Sequence, residues 1–322
     1  MIFFSERELR ELLVAAEIGN VERMRNLVAA TKQYQMTHGW MTQCDKKGRT
    51  PLHLASIWGY MNVVSFILEE IVGSTDNNIE QNQMYLNLTD HKGRTPLFHA
   101  VAEGRNNVAQ VLIEKGADIE AATNQNHIEP GSTSLMACAE KNNKEAFQFM
   151  LCNGANVLAV RNDGADALYI AARYGHLKIV EQLLQTNHIE SIINRPTFRG
   201  RTALMTAAFH NHDKVCKLLF QHGADLSHQD DNKFTALILA SNKGHVDLVK
   251  WLILNGAKVS VKDRYGKTAL KYADENGFVE IASYLKMGGN ENVTTRKLSV
   301  KEEIKSKGFK ETKRGSIKKI SR

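Results

Sequence analysis

Apolar residues recur along this chain in short clusters at helical spacing, bounded by glycine, threonine or proline. One cluster comprises Val246, Leu248, Val249, Leu252 and Ile253. Residues spaced three or four apart share one face of a helix. Threonine followed by proline, as at Thr50 and Pro51, suits a helix start, because the hydroxyl accepts a hydrogen bond from a free backbone N–H and proline has none to lose. The pattern predicts pairs of short helices joined by turns.

One thirteen-residue pattern organises the whole chain. Clear copies are GRTPLHLASIWGY at 48–60, GRTPLFHAVAEGR at 93–105, GRTALMTAAFHNH at 200–212, KFTALILASNKGH at 233–245 and GKTALKYADENGF at 266–278. More divergent copies are LLVAAEIGN at 12–20, GSTSLMACAEKNN at 131–143 and GADALYIAARYGH at 164–176. The spacing settles at about 33 residues in the later copies, a period typical of stacked helical repeats.

TPLHLA at 50–55, together with LIEKGADIE at 112–120 and LFQHGADLS at 219–227, resembles the ankyrin repeat over roughly residues 8–287. The resemblance implies an all-α repeat solenoid of stacked helix-turn-helix units with short β-hairpin loops. We place an N-terminal capping repeat at 1–44, a C-terminal capping repeat at 264–289 and a basic disordered tail at 290–322. The repeats between the caps are set at 45–89 (with a long loop), 90–123, 124–162 (degenerate), 163–197, 198–230 and 231–263.

Small and glycine positions predict how the units meet. A small residue recurs three places past each repeat's leucine, and we expect this position to set the stacking distance; the set is Ala15, Ala55, Ala100, Cys138, Ala171, Ala207, Ala240 and Ala273. Glycine, as at Gly59 and Gly244, then ends most first helices, because it adopts a left-handed conformation without steric cost. Each helix pair buries its apolar face only by stacking on its neighbours.

Four departures from the pattern stand out. The spacing from Thr50 to Thr95 is 45 residues, and the polar extra segment at 73–83 predicts a protruding loop. A smaller insertion lies around 124–131. The fourth repeat carries Asn142 instead of its helix-ending glycine, and the fifth carries Asp166 instead of threonine. We therefore expect repeats four and five to pack less regularly.

Charge and cysteine usage narrow the class of protein. The net charge of +7 comes entirely from residues 290–322, where eleven Lys or Arg face four Glu; the remainder holds 31 basic and 31 acidic residues. Four scattered cysteines without a CxxC pair indicate reduced packing residues rather than a metal or redox site. The N-terminus meets charge at Glu6, too early for a secretory signal. We expect a cytoplasmic, monomeric protein that also has access to the nucleus.

Catalytic motifs are missing from the sequence. It has no phosphate-binding GxxxxGK[ST], no GxSxG, no HExxH and no GxGxxG. The resemblance implies that His53 and His176 make turn hydrogen bonds, whereas a metal role for the other histidines stays a minor alternative. We expect neither enzymatic activity nor a cofactor or metal.

Binding of a protein partner is the leading interpretation. The resemblance implies contacts at the hairpin tips and near the end of each first helix, which gives the candidates Lys46, Lys47, Arg49, Ile57, Trp58, Lys92, Arg94, Arg173, Tyr174, Arg199, Arg201, Phe209, His210, Phe234, Arg264 and Tyr265. Most are basic or aromatic. We expect an acidic or phosphorylated segment with an apolar anchor. The alternative is that Trp58 and Tyr174 pack on adjacent repeats and the arginines only keep the hairpins soluble.

The sequence also contains candidate modification sites, and its basic tail has several possible functions. The resemblance implies that Asn87 and Asn194 are candidates for asparaginyl hydroxylation, and Ser299 and Ser316 follow basic residues as in sites of basophilic kinases. The tail is compatible with an import signal, an anionic-membrane contact, RNA binding or a plain solvated terminus. The charge-neutral repeat body argues against nucleic acid. The leading function is a scaffold or adaptor; the alternative is a regulatory or substrate-recruiting subunit whose tail contacts membrane or nucleic acid.

Overall fold

The computed structural model describes residues 6–32, 39–74 and 79–287, and within these ranges the chain forms eight stacked helix pairs. The first helices of the pairs, here called inner helices, are α1 (Glu6–Glu17), α3 (Pro51–Trp58), α6 (Pro96–Ala102), α8 (Ser134–Lys141), α10 (Ala167–Tyr174), α13 (Ala203–Phe209), α15 (Ala236–Lys243) and α17 (Ala269–Glu275). The outer helices are α2 (Val21–Lys32), α4 (Met61–Ser74), α7 (Asn106–Glu114), α9 (Lys144–Cys152), α11 (Leu177–Leu184), α14 (Asp213–Gln221), α16 (Val246–Leu254) and α18 (Val279–Met287). The predicted all-α solenoid is confirmed.

Two additional helices connect repeats: α5 (Ile79–Leu86) and α12 (Ile189–Ile192). The expectation of a loop across 73–83 was wrong for its second half, because Tyr85 and Leu86 are buried and α5 packs on α4. Residues 75–78 lie outside the described residues, as do the tail at 290–322 and its Ser299 and Ser316. None of the described helices combines the length and apolar character needed to cross a membrane.

Successive inner helices form one continuous row, and their mutual contact is more extensive than that between successive outer helices. The predicted small positions lie in this row, and all eight, from Ala15 to Ala273, are fully buried. Closer approach on the inner side curves the stack, so the inner helices and the hairpins line its concave face. The hairpins are tight turns, and the only isolated strand-like bridge in the described ranges joins Ala122 to Thr133.

Side-chain caps begin seven of the inner helices as predicted. In each, a threonine hydroxyl or the Asp166 carboxylate accepts the backbone N–H three residues on. Asn142 ends α8 in the left-handed conformation, with φ of 57°, and so replaces the missing glycine, since asparagine tolerates this region. α8 and α10 each pack on the inner helices on both sides, so the row of inner helices continues through repeats four and five. Less regular packing of these two repeats stays a prediction.

Lys233 occupies a hairpin position where the other hairpins have glycine, and it adopts φ of 60°. A residue with a Cβ in this left-handed conformation lowers the stability of the fold by about 1 kcal/mol. Because Lys233 is exposed, its side chain has little packing to lose. We expect Lys233→Gly to raise the free energy of unfolding by about 1 kcal/mol in urea denaturation. Lys233→Ala is the control, because it removes the charge but keeps Cβ. An equal gain from alanine would contradict this account.

Asp166, the cap of α10, is almost fully buried. Its Oδ1 accepts the Tyr169 N–H at 2.8 Å, whereas Oδ2 has no hydrogen-bond partner among the described residues and Arg195 Nη1 lies 3.9 Å away. Burial raises the pKa of this carboxyl to about 6, and the Tyr169 N–H and Arg195 oppose that rise only in part. The ionised form is therefore disfavoured in the folded protein.

The raised pKa of Asp166 gives stability a defined pH dependence. Between about pH 4 and pH 6 the folded state binds more protons than the unfolded state, so this group's contribution is largest at low pH and is lost as pH rises through 6. We expect the stability of Asp166→Thr relative to the natural protein to increase by up to about 3 kcal/mol between pH 4 and pH 7. Urea denaturation at both pH values measures this difference. If the difference in stability between the two proteins were the same at pH 4 and pH 7, the pKa of Asp166 would not be raised by burial.

Candidate functional site

The hairpin tips are joined into a continuous row by backbone hydrogen bonds. Each tip donates one N–H to a carbonyl of the preceding tip: His91 to Lys47 (3.0 Å), Asn124 to Lys92 (3.0 Å), Asn162 to Pro130 (3.0 Å), Phe198 to Asp163 (2.9 Å), Asp231 to Arg199 (3.3 Å) and Arg264 to Asn232 (2.9 Å). This regular pairing fixes the tips relative to one another. Sequence reasoning missed it, since the tip sequences share no donor side chain that would signal it.

Three of the predicted binding arginines brace the hairpins through ion pairs, two within their own hairpin and one with the next hairpin. Arg49 Nη2 lies 2.6 Å from Asp45 Oδ2, and Arg94 Nη2 lies 2.7 Å from Asp90 Oδ2. Arg201 Nε reaches the carboxylate of Asp230 in the next hairpin at 3.2 Å. These arginines already have carboxylate partners and are half-buried, so they are poor candidates for an acidic ligand.

Four other basic tip residues are exposed and have no carboxylate partner within the described ranges: Lys46, Lys47, Lys92 and Arg199. Arg264 is exposed and donates to Asn232 Oδ1 at 2.9 Å, and Tyr265 beside it is 69% exposed. Phe234, by contrast, is half-buried and packs edge-on against Tyr272, with ring centroids 5.8 Å apart. The free tip cations are therefore mainly the lysines of repeats two and three.

Large side chains project from the ends of several inner helices. Trp58 is 48% exposed and Tyr174 is 40% exposed, while Ile57 and Phe209 are half-buried. Arg105 Nε donates to the Ile57 carbonyl at 3.0 Å, which anchors the end of α3 to the next repeat. Trp58 and Tyr174 are thus open to a ligand, although Tyr174 also stacks on His176 at 5.8 Å.

Cations and aromatic rings meet at the ends of α10, α13 and α15. Arg173 lies 5.7 Å from the Tyr174 ring, and Lys243 Nζ lies 4.6 Å from the Phe209 ring. The guanidinium of Arg201 lies 5.5 Å from the same Phe209 ring. His210 contacts Phe209 edge-on at 5.0 Å. Such cation–ring contacts hold the charged groups close to the aromatic surface.

The two histidines expected to make turn hydrogen bonds each donate from Nε2 to a backbone carbonyl of an adjacent repeat. His53 Nε2 lies 2.9 Å from the Arg94 carbonyl, and His176 Nε2 lies 2.9 Å from the Glu140 carbonyl, as predicted. Burial lowers the pKa of His53 to about 4, so it is neutral at physiological pH. No group of three His, Cys, Asp or Glu side chains in the described part of the chain is placed to hold a metal ion.

Asp90 lies beneath the third hairpin and is buried. Burial raises the pKa of its carboxyl, but hydrogen bonds from His99 (3.0 Å) and Arg94 (2.9 Å) outweigh this and hold the pKa below its ordinary value. Burial also lowers the pKa of His99 despite that carboxylate. The neutral His99 ring therefore donates to an ionised Asp90, and this interaction stabilises the hairpin.

The two asparagines considered for hydroxylation make bonds between repeats. Asn87 Oδ1 accepts the Asp118 N–H at 2.8 Å, and Asn194 Oδ1 accepts the Asp225 N–H at 2.8 Å. Asn194 Nδ2 also donates to the Gly223 carbonyl at 3.0 Å. Both side chains thus have structural roles, and their modification stays a prediction.

Comparison with known proteins identifies the repeat. A family model described as ankyrin repeats (3 copies) matches residues 12–123, 75–160 and 135–230, and a second, ankyrin repeats (many copies), matches 219–273. Similar curated proteins include mouse ankyrin repeat and SAM domain-containing protein 6 (38% identity; 25% of this chain, 9% of that protein) and mouse B-cell lymphoma 3 protein homolog (28% identity; 44% and 29%). Human transient receptor potential cation channel subfamily A member 1 is 25% identical over 57% of this chain and 15% of its own length. The matched segments thus span less than a third of each of these relatives.

Proposed function

The chain belongs to the ankyrin-repeat family, and from that premise we propose that it is a non-enzymatic scaffold or adaptor that captures an acidic segment of a partner protein on its concave face. Ankyrin repeats are in general protein–protein interaction modules. The observation that carries the proposal for this chain is the set of exposed lysines without carboxylate partners in the described ranges, Lys46, Lys47 and Lys92, on a row of tips held by backbone hydrogen bonds.

The tips are held in fixed positions before a partner binds, and this favours binding because less conformational entropy of the tips is lost on association. Lys47 and Lys92 belong to consecutive tips joined by the bond from His91 N to Lys47 O. A preorganised row of like charges attracts a segment of opposite charge and raises its association rate. Trp58 is the last residue of α3, the inner helix that follows the tip containing Lys47. Its exposed ring offers an apolar contact to the same segment.

Charge reversal at the tips tests the proposal. The natural protein and the variant Lys47→Glu/Lys92→Glu are each immobilised and exposed to the same cell extract. Mass spectrometry then quantifies the proteins that each one retains. We expect specific partners to be retained on the order of tenfold less by the variant, equal to about 1.4 kcal/mol.

A matched control carries the same change elsewhere. Lys115→Glu/Lys214→Glu also reverses two exposed lysines without a carboxylate partner in the described ranges, but on the outer-helix side. We expect this variant to retain the partners like the natural protein. Equal retention by all three proteins would rule out acidic recognition at the tips.

A further inference from the structure

We infer that the concave face holds two separate binding subsites and that a single partner segment with two acidic–apolar motifs occupies both. This inference rests on the proposed function and specifies the ligand for it. The N-terminal subsite consists of Ile18, Trp58, Lys46, Lys47 and Lys92. The C-terminal subsite consists of Arg173, Tyr174, Phe209, His210 and Lys243. The ends of the inner helices of repeats three and four, α6 and α8, lie between the aromatic and apolar side chains of the two subsites.

The N-terminal subsite combines two apolar side chains with three cations. Ile18 and Trp58 directly precede the glycines that end α1 and α3, and these two helices pack on each other. They are 55% and 48% exposed and occupy equivalent positions of neighbouring repeats, so both are open to the same ligand. The three lysines of the adjoining tips are exposed and have no carboxylate partner within the described residues. An acidic segment with an apolar side chain matches this surface.

Repeats three and four interrupt the pattern at the same positions. The end of α6 presents Ala102 and the exposed Glu103, and the end of α8 presents Glu140 and Lys141. Lys141 Nζ is already 3.0 Å from the Glu140 carboxylate. The tip of repeat four carries uncharged side chains at 124–126. Among the described residues, the ends of α6 and α8 and the tip at 124–126 therefore include no cation without a carboxylate partner and no exposed ring to hold an acidic motif.

The C-terminal subsite restores the combination of rings and cations. Arg173 and Lys243 have no carboxylate partner in the described part of the chain, and each lies within 6 Å of a ring, at 5.7 Å and 4.6 Å. His210 Nδ1 lies 2.9 Å from the Thr206 carbonyl, which orients its ring beside Phe209. A carboxylate of the ligand would pair with these cations while its apolar neighbour lies on Tyr174, which is 40% exposed.

The repeat geometry sets the distance between the two motifs. Trp58 and Tyr174 end the inner helices of repeats two and five, three stacking steps apart. Packed helices lie about 8–10 Å apart, so the two side chains are separated by roughly 24–30 Å. An extended chain advances about 3.3 Å per residue, and about eight residues therefore span the gap.

Synthetic fluorescein-labelled peptides test the inference by fluorescence anisotropy. One peptide carries a single Asp-Glu-Phe motif. A second carries two such motifs joined by a Gly-Ser spacer of about ten residues, which is long enough to bridge the gap. A third has a spacer of about two residues, which is too short. We expect the long-spacer peptide to bind roughly a hundredfold more tightly than the single motif. The short-spacer peptide should gain only the factor of about two that a second copy of the motif provides statistically.

Trp58→Ala and Tyr174→Ala should each return the long-spacer peptide to single-motif affinity, whereas Lys115→Glu/Lys214→Glu should not. Both aromatic side chains are exposed, so unchanged urea midpoints verify that the variants fold. Two results would overturn the two-subsite inference while leaving the proposed function intact. In one, the single motif binds but the long-spacer peptide binds no more tightly; in the other, the higher affinity of the long-spacer peptide survives both alanine variants. If no acidic peptide binds, both fail.

Discussion

Replacement of Arg161 by methionine is expected to lower the free energy of unfolding by about 3 kcal/mol, as is typical when one member of a buried ion pair is removed. Arg161 is only 3% exposed. Its guanidinium pairs with the Glu129 carboxylate and lies 2.9 Å from Asp163 Oδ2. Methionine keeps much of the buried volume but leaves Glu129, whose side chain is 20% exposed, without a counter-charge. Urea denaturation at pH 7 measures the loss.

Two controls separate charge from packing. Glu129→Met/Arg161→Met removes both charges and is expected to recover part of the loss, because apolar replacements of buried ion pairs are often tolerated. Lys178→Met breaks the exposed pair with Glu181, in which the lysine is 68% exposed, and should cost about 0.5 kcal/mol or less. If Arg161→Met cost no more than Lys178→Met, the buried pair would have no special role.

Arg161 also explains why repeats four and five depart from the pattern together. It stands five residues before the helix cap, where other hairpins carry aspartate, as at Asp45, Asp90 and Asp230. The insertion around 124–131 supplies Glu129 as its partner, and Asp163 Oδ1 accepts the Ala165 N–H at 3.0 Å. The insertion thus supplies a partner for the substituted residue, and the row of inner helices continues through these repeats.

Gly93→Ala is expected to have a comparably large effect, a loss of about 3 kcal/mol. Gly93 has φ of 75°, and a Cβ there would lie 2.4 Å from the backbone nitrogen of Asn124. That nitrogen donates to the Lys92 carbonyl at 3.0 Å, so the added methyl must displace the bond that joins the two tips. Thermal and urea denaturation measure the loss of stability.

Gly104→Ala is the matched control for Gly93→Ala. Gly104 has φ of 70°, but a Cβ added there would meet no atom of the described residues within 4 Å. It should therefore lose only the cost of the left-handed backbone, about 1–2 kcal/mol. The difference between the two variants isolates the steric contact at the tips. Equal losses would show that the close approach of the added methyl to Asn124 has no cost.

Much of the fold could be predicted because the repeat places the same requirement at the same position many times. The caps at Thr50 and Thr235, the buried alanines and the helix-ending glycines each follow from local chemistry. The prediction of a loop over 73–83 was partly wrong because burial of Tyr85 and Leu86, a tertiary contact, stabilises α5 in a polar segment. Local propensity carries no information on such a contact.

The candidate site was predicted less completely than the fold. Sequence position selected Arg49, Arg94 and Arg201 alongside Lys47 and Lys92, since all are basic residues of the hairpins. The structure separates them: the arginines pair with Asp45, Asp90 and Asp230, whereas the lysines are exposed. Whether a charge is free depends on what its neighbours in space satisfy, which the sequence does not specify.

By itself, the sequence determined the repeat, the starts of most inner helices and the residues that stack, because helix caps, periodicity and small side chains act over a few neighbouring residues. Only the tertiary structure decided which cations remain free, how the tips join into one row and why Arg161 requires Glu129. The row of tips and the Arg161–Glu129 pair depend on groups about one repeat apart in the chain, at residues 47 and 91 or 129 and 161, which meet only when the repeats stack. Arg49 and Arg94 pair with aspartates four residues away, but the structure is needed to show that these pairs form.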